Sequence, residues 1–238
     1  SAQSGWRSTA YWQSCGQPPP SFRYSASLRH EINNSLTLLS SRLQLLASKH
    51  PFLKKDPDFI EIRNDLSNIQ RLLSYDRTSH QPQLIPCRIQ PLLDELYASF
   101  LPVFHSQKVE LFLHIEPDLP LIRADLPLIR QAMINLLKNA SEAARPGGHV
   151  TLSASFNSTH IILSVSDDGT GMTPEQQAHI FEPFGSYKKG GTGLGLAIVQ
   201  SIISAHHGHL SLETSPGHGC TFRILLPVSL SPVEKSAK

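Results

Sequence analysis

Two stretches near the start of the chain repeat apolar residues every three or four positions. The repeating positions are Leu28, Ile32, Leu36, Leu39, Leu43 and Leu46 in the first stretch and Phe59, Ile62, Leu66, Ile69 and Leu73 in the second. This spacing predicts two amphipathic helices, joined by a short connection from Pro51 to Pro57, and therefore an antiparallel helical hairpin. Because one hairpin leaves half of its apolar stripe uncovered, we expect two copies to pair as a four-helix bundle. The protein is then a homodimer.

After Gln81 the pattern changes to mixed α/β. Helical periodicity runs through Ile89–Phe104, Leu126–Ala144 and Gly193–Ala205, and strand-like alternation through Val109–Ile115, Val150–Phe156, His160–Val165, Leu210–Glu213 and Thr221–Leu226. The expected fold class is α plus α/β, a helical hairpin followed by an α/β domain. The expected organisation is a flexible flank or linker (1–21), the hairpin (22–80), the α/β domain (81–228) and a polar tail (229–238).

Composition limits the classes of function. With 238 residues, 39% hydrophobic and 17% charged, the chain is typical of a soluble protein of one or two domains. A net charge of +2 predicts no nucleic-acid binding and no membrane contact by this segment. Cys15, Cys87 and Cys220 are odd in number and far apart, which indicates a reducing compartment. No apolar run approaches the roughly 20 residues that span a bilayer. We expect a cytoplasmic segment, cut from a longer protein because it begins at Ser1.

The helix predicted at Leu126–Ala144 carries polar residues suited to a nucleotide and its metal. Asn135 and Asn139 are one turn apart and share a face, with Lys138 and Glu142 beside them. A carboxamide oxygen is a hard ligand suited to magnesium, which otherwise relies on phosphates and water. On their own these residues also fit an exposed polar helix face.

Glycine-rich segments elsewhere in the α/β domain add candidates for the same ligand. Asp167 closes a strand and is followed by Gly169 and Gly171, so a carboxylate that can accept from an exocyclic amino group lies beside a close-approach turn. The segment from Phe181 to Phe184 precedes two lysines that can reach phosphate oxygens, Lys188 and Lys189. The run from Gly191 to Gly195 opens a helix, where backbone N–H groups and the helix dipole favour phosphate.

In order and spacing these segments resemble the N, first glycine, F and second glycine boxes of histidine protein kinases, and Gly217-x-Gly219-x-Thr221-Phe222 matches their closing motif. The resemblance covers about residues 22 to 228. It implies an α/β sandwich ATP-binding domain of the gyrase, Hsp90 and histidine-kinase type, and ATP with Mg²⁺ as cofactors. It further implies Asn139 on the metal, Asp167 on adenine and a lid from about Glu182 to Thr192. The remaining nucleotide contacts expected are Asn135, Lys138, Gly169, Gly171, Lys188, Lys189, Gly191, Thr192, Gly193, Leu194, Gly195 and Thr221.

The first predicted helix supplies a phospho-acceptor. His30 and Asn34 lie one turn apart outside the apolar seam, with Glu31 adjacent, and a neutral imidazole is a good nucleophile toward phosphorus. The stretch resembles the H box of the same kinases. The resemblance implies His30 as acceptor of the γ-phosphoryl group, Glu31 as acid/base partner and Asn34 as the residue that positions water in a phosphatase reaction. It also implies transfer to a response regulator receiver domain, and a full-length protein at the inner face of a bacterial plasma membrane. Ser35 departs from the family, which usually has a helix-bending proline there.

Three other functions fit the sequence less well. Gyrase-type and Hsp90-type ATPases place a water-activating glutamate one turn before the metal asparagine, where this chain has Asn135. A serine kinase of the same nucleotide-binding superfamily would not need the hairpin of His30. A non-catalytic phosphotransfer scaffold would not keep the boxes intact. The histidines of His206-His207-Gly208-His209 lack the spacing of a metal site and are expected to form a turn before a strand.

Overall fold

A computed structural model describes residues 26–74, 82–182 and 193–228. Helix α1 spans Ala26–Lys49 and α2 spans Pro57–Ser74, with a short 3₁₀ helix at Pro51–Lys55 between them. The prediction of two helices is confirmed. The start of α2 is set by Asp56, whose Oδ1 accepts from the backbone N–H of Phe59 at 3.1 Å, and by the proline in its first turn. None of the helices within these described ranges is long and apolar enough to cross a membrane.

The hairpin buries only part of its apolar surface. Leu36, Phe59 and Leu66 are 9%, 7% and 8% exposed, whereas Leu39 and Leu46 of the same predicted seam remain 48% and 43% exposed. The packing of α1 on α2 therefore covers one side of the seam and leaves the other side open.

The α/β domain is built on a five-stranded sheet. Its strands are β2 (Glu110–Ile115), β4 (His149–Phe156), β5 (His160–Asp167), β6 (His209–Thr214) and β7 (Cys220–Pro227). Their order in the sheet is β2-β4-β5-β7-β6, and only the β2–β4 pair is parallel. A separate antiparallel pair joins β1 (Ile85–Cys87) to β3 (Ile122–Ala124).

Helices α3 (Gln90–Ser106), α4 (Leu126–Ala143) and α6 (Gly195–Ala205) pack on one face of the sheet. Alternate residues of the central strands point to these helices and are almost fully buried, as Leu152, Leu163 and Ile224 show with 0% exposure. The other face carries the intervening half-buried residues, among them Ser153 and Ser164. The domain is thus a two-layer α/β sandwich, as predicted.

Sequence patterns missed the shortest elements. Strands β1 and β3 have three residues each, too few for alternation to register. Helix α5 (Pro174–His179) has six residues and depends on its capping box, in which the Thr173 hydroxyl accepts from the N–H of Gln176 and the Gln176 side chain accepts from the N–H of Thr173. Helix α6 begins at Gly195, later than the predicted Gly193, because Gly193 adopts a φ of +66° that ends regular geometry on its N-terminal side.

Candidate functional site

Asp167 is the last residue of β5, the central strand of the sheet, and its side chain faces the helical layer. Its side chain is 8% exposed, and its Oδ1 accepts from the backbone N–H of Gly169 at 3.0 Å. Val150 and Cys220 are its partners on the neighbouring strands. A carboxylate fixed in this way can accept a hydrogen bond from a donor group on a ligand bound next to it.

The turn after Asp167 packs tightly enough to require its glycines. A Cβ on Gly169 would lie 2.4 Å from the carbonyl oxygen of Ala143 in α4, and one on Gly171 would lie 1.9 Å from that of Ser215. Gly171 also has a φ of +62°, which L side chains rarely adopt. Both positions predicted to contact nucleotide therefore need glycine for the turn itself.

Helix α4 connects the two ends of the candidate site. Near its C-terminus Ala143 touches the Gly169 turn, and two turns earlier the Asn135 side chain donates from Nδ2 to the carbonyl oxygen of Gly195 at 3.2 Å. Eight residues of helix separate these contacts, or about 12 Å along the axis. Asn139 lies midway and is half-buried. This face is long enough to span a nucleotide from its base to its phosphates.

The remaining residues of the α4 motif lie nearer to solvent. Lys138 and Glu142 are exposed beside the face that carries Asn135 and Asn139. A lysine there can reach phosphate oxygens as a point charge, and the carboxamide of Asn139 offers one neutral hard oxygen. This donor set fits Mg²⁺ that completes its shell with phosphates and water.

The second glycine segment is described only from Gly193 onward. Leu194 has 0% exposure and anchors the start of α6, while Gly193 and Gly195 are half-buried. The predicted contacts of Lys188, Lys189, Gly191 and Thr192 lie outside the described residues. The part of the predicted lid that follows Glu182 also lies outside the described residues.

Thr221 lies on the face of the sheet opposite to that of the Asp167 side chain. Its hydroxyl hydrogen-bonds the Ser166 hydroxyl at 2.7 Å, and both residues occupy the face of the sheet turned away from the helices. Strand alternation places Cys220, at 5% exposure, beside Asp167 instead. The structure therefore does not bring Thr221 together with Asp167, and a contact of Thr221 with nucleotide stays a prediction. Cys220 was missed because only the register of β7 on β5 decides which of the two neighbours faces the site.

Electrostatic contacts fix the loop after Asp167 to the start of β4. Asp168 accepts from the backbone N–H of His149 at 2.9 Å through Oδ1 and pairs with the ring Nδ1 at 3.0 Å through Oδ2. The side-chain hydrogen bond to Asp168 raises the pKa of His149, and Glu110 raises it further. The N–H of His149 and then its ring lower the pKa of Asp168. The Phe112 ring stacks on the imidazole with centroids 5.9 Å apart.

Comparison with known proteins shows which proteins this chain is similar to. The family model described as histidine kinase-, DNA gyrase B-, and HSP90-like ATPase matches residues 124–230. Sporulation kinase C of Bacillus subtilis is 32% identical over 209 residues, which cover 86% of this chain and 48% of that protein. The chain matches the histidine kinase transmitter, including its ATP-binding catalytic domain. It spans only about a third to a half of the length of the curated relatives first matched.

Solved structures of histidine kinases share the fold of this chain. The catalytic domain of histidine kinase ThkA covers 60% of this chain and 95% of its own, with 28% identity and a TM-score of 0.56. Full-length ShkA, solved in complex with AMPPNP, covers 85% of this chain and 45% of its own, with 27% identity and a TM-score of 0.64. The second match extends over the hairpin as well as the α/β domain.

The segment that resembles an H box lies in α1. The backbone of His30 and Glu31 is helical, and their side chains lie outside the described residues. Asn34, one turn beyond His30, is exposed. The helix continues without interruption from Ala26 to Lys49, through Ser35. Serine keeps the backbone N–H that the family's usual proline would remove.

His206, directly after α6, is buried and hydrogen-bonded through both ring nitrogens. His206 is 3% exposed; its Nε2 accepts from the N–H of Asp125 at 3.0 Å, so Nδ1 carries the proton and donates to the carbonyl oxygen of Ile202 at 2.8 Å. Burial lowers the pKa of His206. In the parts of the chain that the structure describes, no group of three or more His, Cys, Asp or Glu side chains could hold a metal ion.

Proposed function

We propose that this chain binds ATP with Mg²⁺, transfers the γ-phosphoryl group to His30, and passes it to an aspartate of a response regulator receiver domain. The observation that carries the proposal is the arrangement on α4, where Ala143 meets the Gly169 turn beside Asp167 and Asn135 meets Gly195. A base-reading carboxylate and a phosphate-binding helix start thus lie at opposite ends of one helix face.

Nucleotide binding follows from the residues at each end. The Asp167 carboxylate accepts from the exocyclic amino group of adenine, which guanine lacks at that position. Gly169 and Gly171 keep the turn close to the base, and Leu194 with Gly195 presents the N-terminal end of α6 to the phosphates.

Asn139 is the proposed ligand of Mg²⁺, with Asn135 one turn before it and Lys138 beside it. When bound, the ion neutralises charge on the phosphates. Lys138 is exposed and free to follow the phosphates, whereas Asn135 is held by Gly195. The protein's share of this step is to position the reacting groups and to offset charge, which is how most phosphoryl transfers are accelerated.

Transfer to histidine balances without a further reactant. A ring nitrogen of His30 forms a bond to the γ-phosphorus while the bond from that phosphorus to the β–γ bridging oxygen breaks, and ADP leaves with the electron pair. Glu31 takes or orients the ring proton. Water is a poor competitor because Asn135, an amide without basic character, occupies the position of the glutamate that activates water in related ATPases.

Dimerisation completes the helical hairpin. Leu39 and Leu46, spaced by one heptad, keep 48% and 43% of their surface exposed in the single chain. A second hairpin would cover them as a four-helix bundle, and each fully buried leucine contributes about 1.5–3 kcal/mol. A homodimer is therefore the proposed state.

The proposed docking surface for the receiver domain is the exposed face of α1 below His30. Asn34 lies one turn beyond His30 on this face, and Leu38 and Leu45 follow it with 61% and 56% exposure. Apolar side chains rimmed by polar residues are typical of a protein-binding surface. Asn34 would also position water if the kinase acts as a phosphatase on its partner. We place the segment in the cytoplasm, where ATP and response regulators are found.

Incubation of the purified chain with γ-labelled ATP tests the proposal. Wild-type protein should acquire an acid-labile, alkali-stable label, and His30→Gln should acquire none although it still binds ATP. Label that persists in His30→Gln would exclude His30 as acceptor. Asn139→Asp should abolish labelling with an unchanged circular dichroism spectrum, and normal labelling there would refute the metal assignment.

A further inference from the structure

Thr214 ends β6 in the same row of the sheet as Asp167. Thr214 is the register partner of Cys220, and Cys220 is the register partner of Asp167. Paired residues point to the same face of a sheet, so all three side chains face the helical layer. Two strand spacings, about 10 Å, separate Thr214 from Asp167, so the two side chains are not in direct contact.

The Thr214 hydroxyl uses its full hydrogen-bonding capacity. It donates to the carbonyl oxygen of Gly219 at 2.7 Å and accepts from the N–H of Met172 at 3.0 Å. Cys220 Sγ lies 3.3 Å from the same oxygen, and because the hydroxyl proton is directed to Gly219, the thiol is the donor in this contact. A hydroxyl has one proton and two lone pairs, and all three are engaged here.

These bonds join two loops at the edge of the site. The first loop (168–172) follows Asp167, and the second loop (215–219) connects β6 to β7. A Cβ on Gly219 would lie 1.9 Å from the carbonyl oxygen of Asp167, and the N–H of Gly217 donates to the carbonyl oxygen of Thr170 at 2.7 Å. The two backbones are stacked in direct contact, so a shift of the second loop moves Asp167 and the turn that follows it.

We infer that Thr214 is a positioning residue for ATP: its hydroxyl holds the second loop against the first and so fixes the Asp167 carboxylate for adenine. The inference rests on the proposed nucleotide site and adds to it a residue that does not touch the ligand. It assigns Thr214 to ground-state binding of the base, because nothing in this contact set reaches the phosphates or His30. Loss of the hydroxyl should therefore act on ATP affinity and leave the rate at saturating ATP nearly unchanged.

The test compares Thr214→Val, which keeps the shape and removes the hydroxyl, with Thr214→Ser, which keeps the hydroxyl. Thr151→Val, at a half-buried position on the outward face of β4, is the matched control. The Kd for ATP–Mg²⁺ should rise about tenfold in Thr214→Val and stay within about twofold of wild type in the other two variants. The autophosphorylation rate at saturating ATP should change by less than about twofold in all three. Thr214→Ala replaces Thr214→Val if the valine variant does not fold, as judged by circular dichroism.

The inference is overturned if Thr214→Val binds ATP as well as Thr151→Val does, if Thr214→Ser binds as weakly as Thr214→Val, or if the saturated rate falls while Kd does not change. Asp167→Asn is measured in parallel to separate this failure from that of the nucleotide site. If Asp167→Asn binds ATP normally, the nucleotide site itself is wrong. If Asp167→Asn loses binding and Thr214→Val does not, only the role of Thr214 is wrong.

Discussion

The side chain of Asn135 donates a hydrogen bond to the backbone carbonyl oxygen of Gly195 at 3.2 Å, across a sequence separation of 60 residues. Gly195 is the first residue of α6, and Leu194 before it is fully buried. The contact therefore ties the helix that carries the proposed metal ligand, Asn139, to the helix start proposed to bind phosphate. This amide adds a polar link to the apolar packing between these two parts of the proposed site.

Replacing Asn135 by alanine tests whether its hydrogen bond to Gly195 affects ATP binding as well as the free energy of unfolding. Loss of one side-chain hydrogen bond lowers the free energy of unfolding by about 1 kcal/mol, which urea denaturation measures. Ser141→Ala on the same helix also loses one hydrogen bond, to Gln107, but has no bond to α6. Both variants should lose similar stability, and only Asn135→Ala should raise the Kd for ATP severalfold. Equal ATP affinity in the two variants would contradict a role of Asn135 in the site.

Gly219 and Gly217 offer a paired test of the backbone contact with Asp167. Both have left-handed φ values, +72° and +82°, so alanine costs about 1–2 kcal/mol at either position. At Gly219 the new Cβ would also lie 1.9 Å from the Asp167 carbonyl oxygen, whereas at Gly217 no atom lies within 4 Å. We expect Gly219→Ala to lose ATP binding in isothermal titration and Gly217→Ala to retain it. Retained binding in Gly219→Ala would show that Asp167 tolerates the shift.

The sequence predicted the long elements because their periodicity extends over many residues. The fifteen or more positions of α3 and α4 and the eight of β4 and β5 each repeat the pattern enough times to be identified. The three-residue strands β1 and β3 are too short to repeat any pattern. They form because residues far apart in the chain pair with each other, such as Ile85 and Ala124. The asparagine, aspartate and glycine segments of the candidate site were identified from residue type and order along the chain, and both are present in a single sequence.

Side-chain direction at the site could not be read from the sequence alone. Thr221 and Cys220 are adjacent, and only the register of β7 on β5 places Cys220 beside Asp167. The role of His206 was equally hidden, because its partner Asp125 is 81 residues away. The roles of such residues depend on contacts with residues that are distant in the sequence, across the sheet or between elements.

His206 should make the stability of the α/β domain depend on pH. Burial lowers the pKa of His206 in the folded protein. Protonation of Nε2 would break the hydrogen bond that it accepts from the backbone N–H of Asp125. Asp125 is also the N-cap of α4, since its side chain accepts from the N–H of Leu128. On acidification through the ordinary histidine range, the unfolded chain takes up this proton before the folded chain does. The free energy of unfolding therefore falls as pH decreases, by at most about 1.4 kcal/mol per pH unit for one proton.

Other histidines contribute with different signs, since the pKa of His149 is raised, so the effect of His206 is measured as a difference between variants. Urea unfolding from pH 8 to pH 5.5 should show a shallower decrease for His206→Gln than for wild type. Thr151→Val, which changes no titratable group, should keep the wild-type slope. Identical slopes in all three proteins would mean that His206 is not the titrating group.

The two exposed leucine pairs of α1 should separate dimerisation from docking of the receiver domain. Leu39 and Leu46 continue the seam that packs on α2, while Leu38 and Leu45 lie one position earlier, nearer to the face of Asn34. The double variant Leu39→Glu, Leu46→Glu would bury two charges in the bundle and should be a monomer in sedimentation velocity at micromolar concentration.

The double variant Leu38→Glu, Leu45→Glu should leave the dimer and the labelling of His30 intact. It should slow phosphotransfer to a receiver domain at least severalfold. If the 39/46 variant stays dimeric, the four-helix bundle is wrong. If the 38/45 variant transfers at the wild-type rate, the receiver docks elsewhere on α1 or α2.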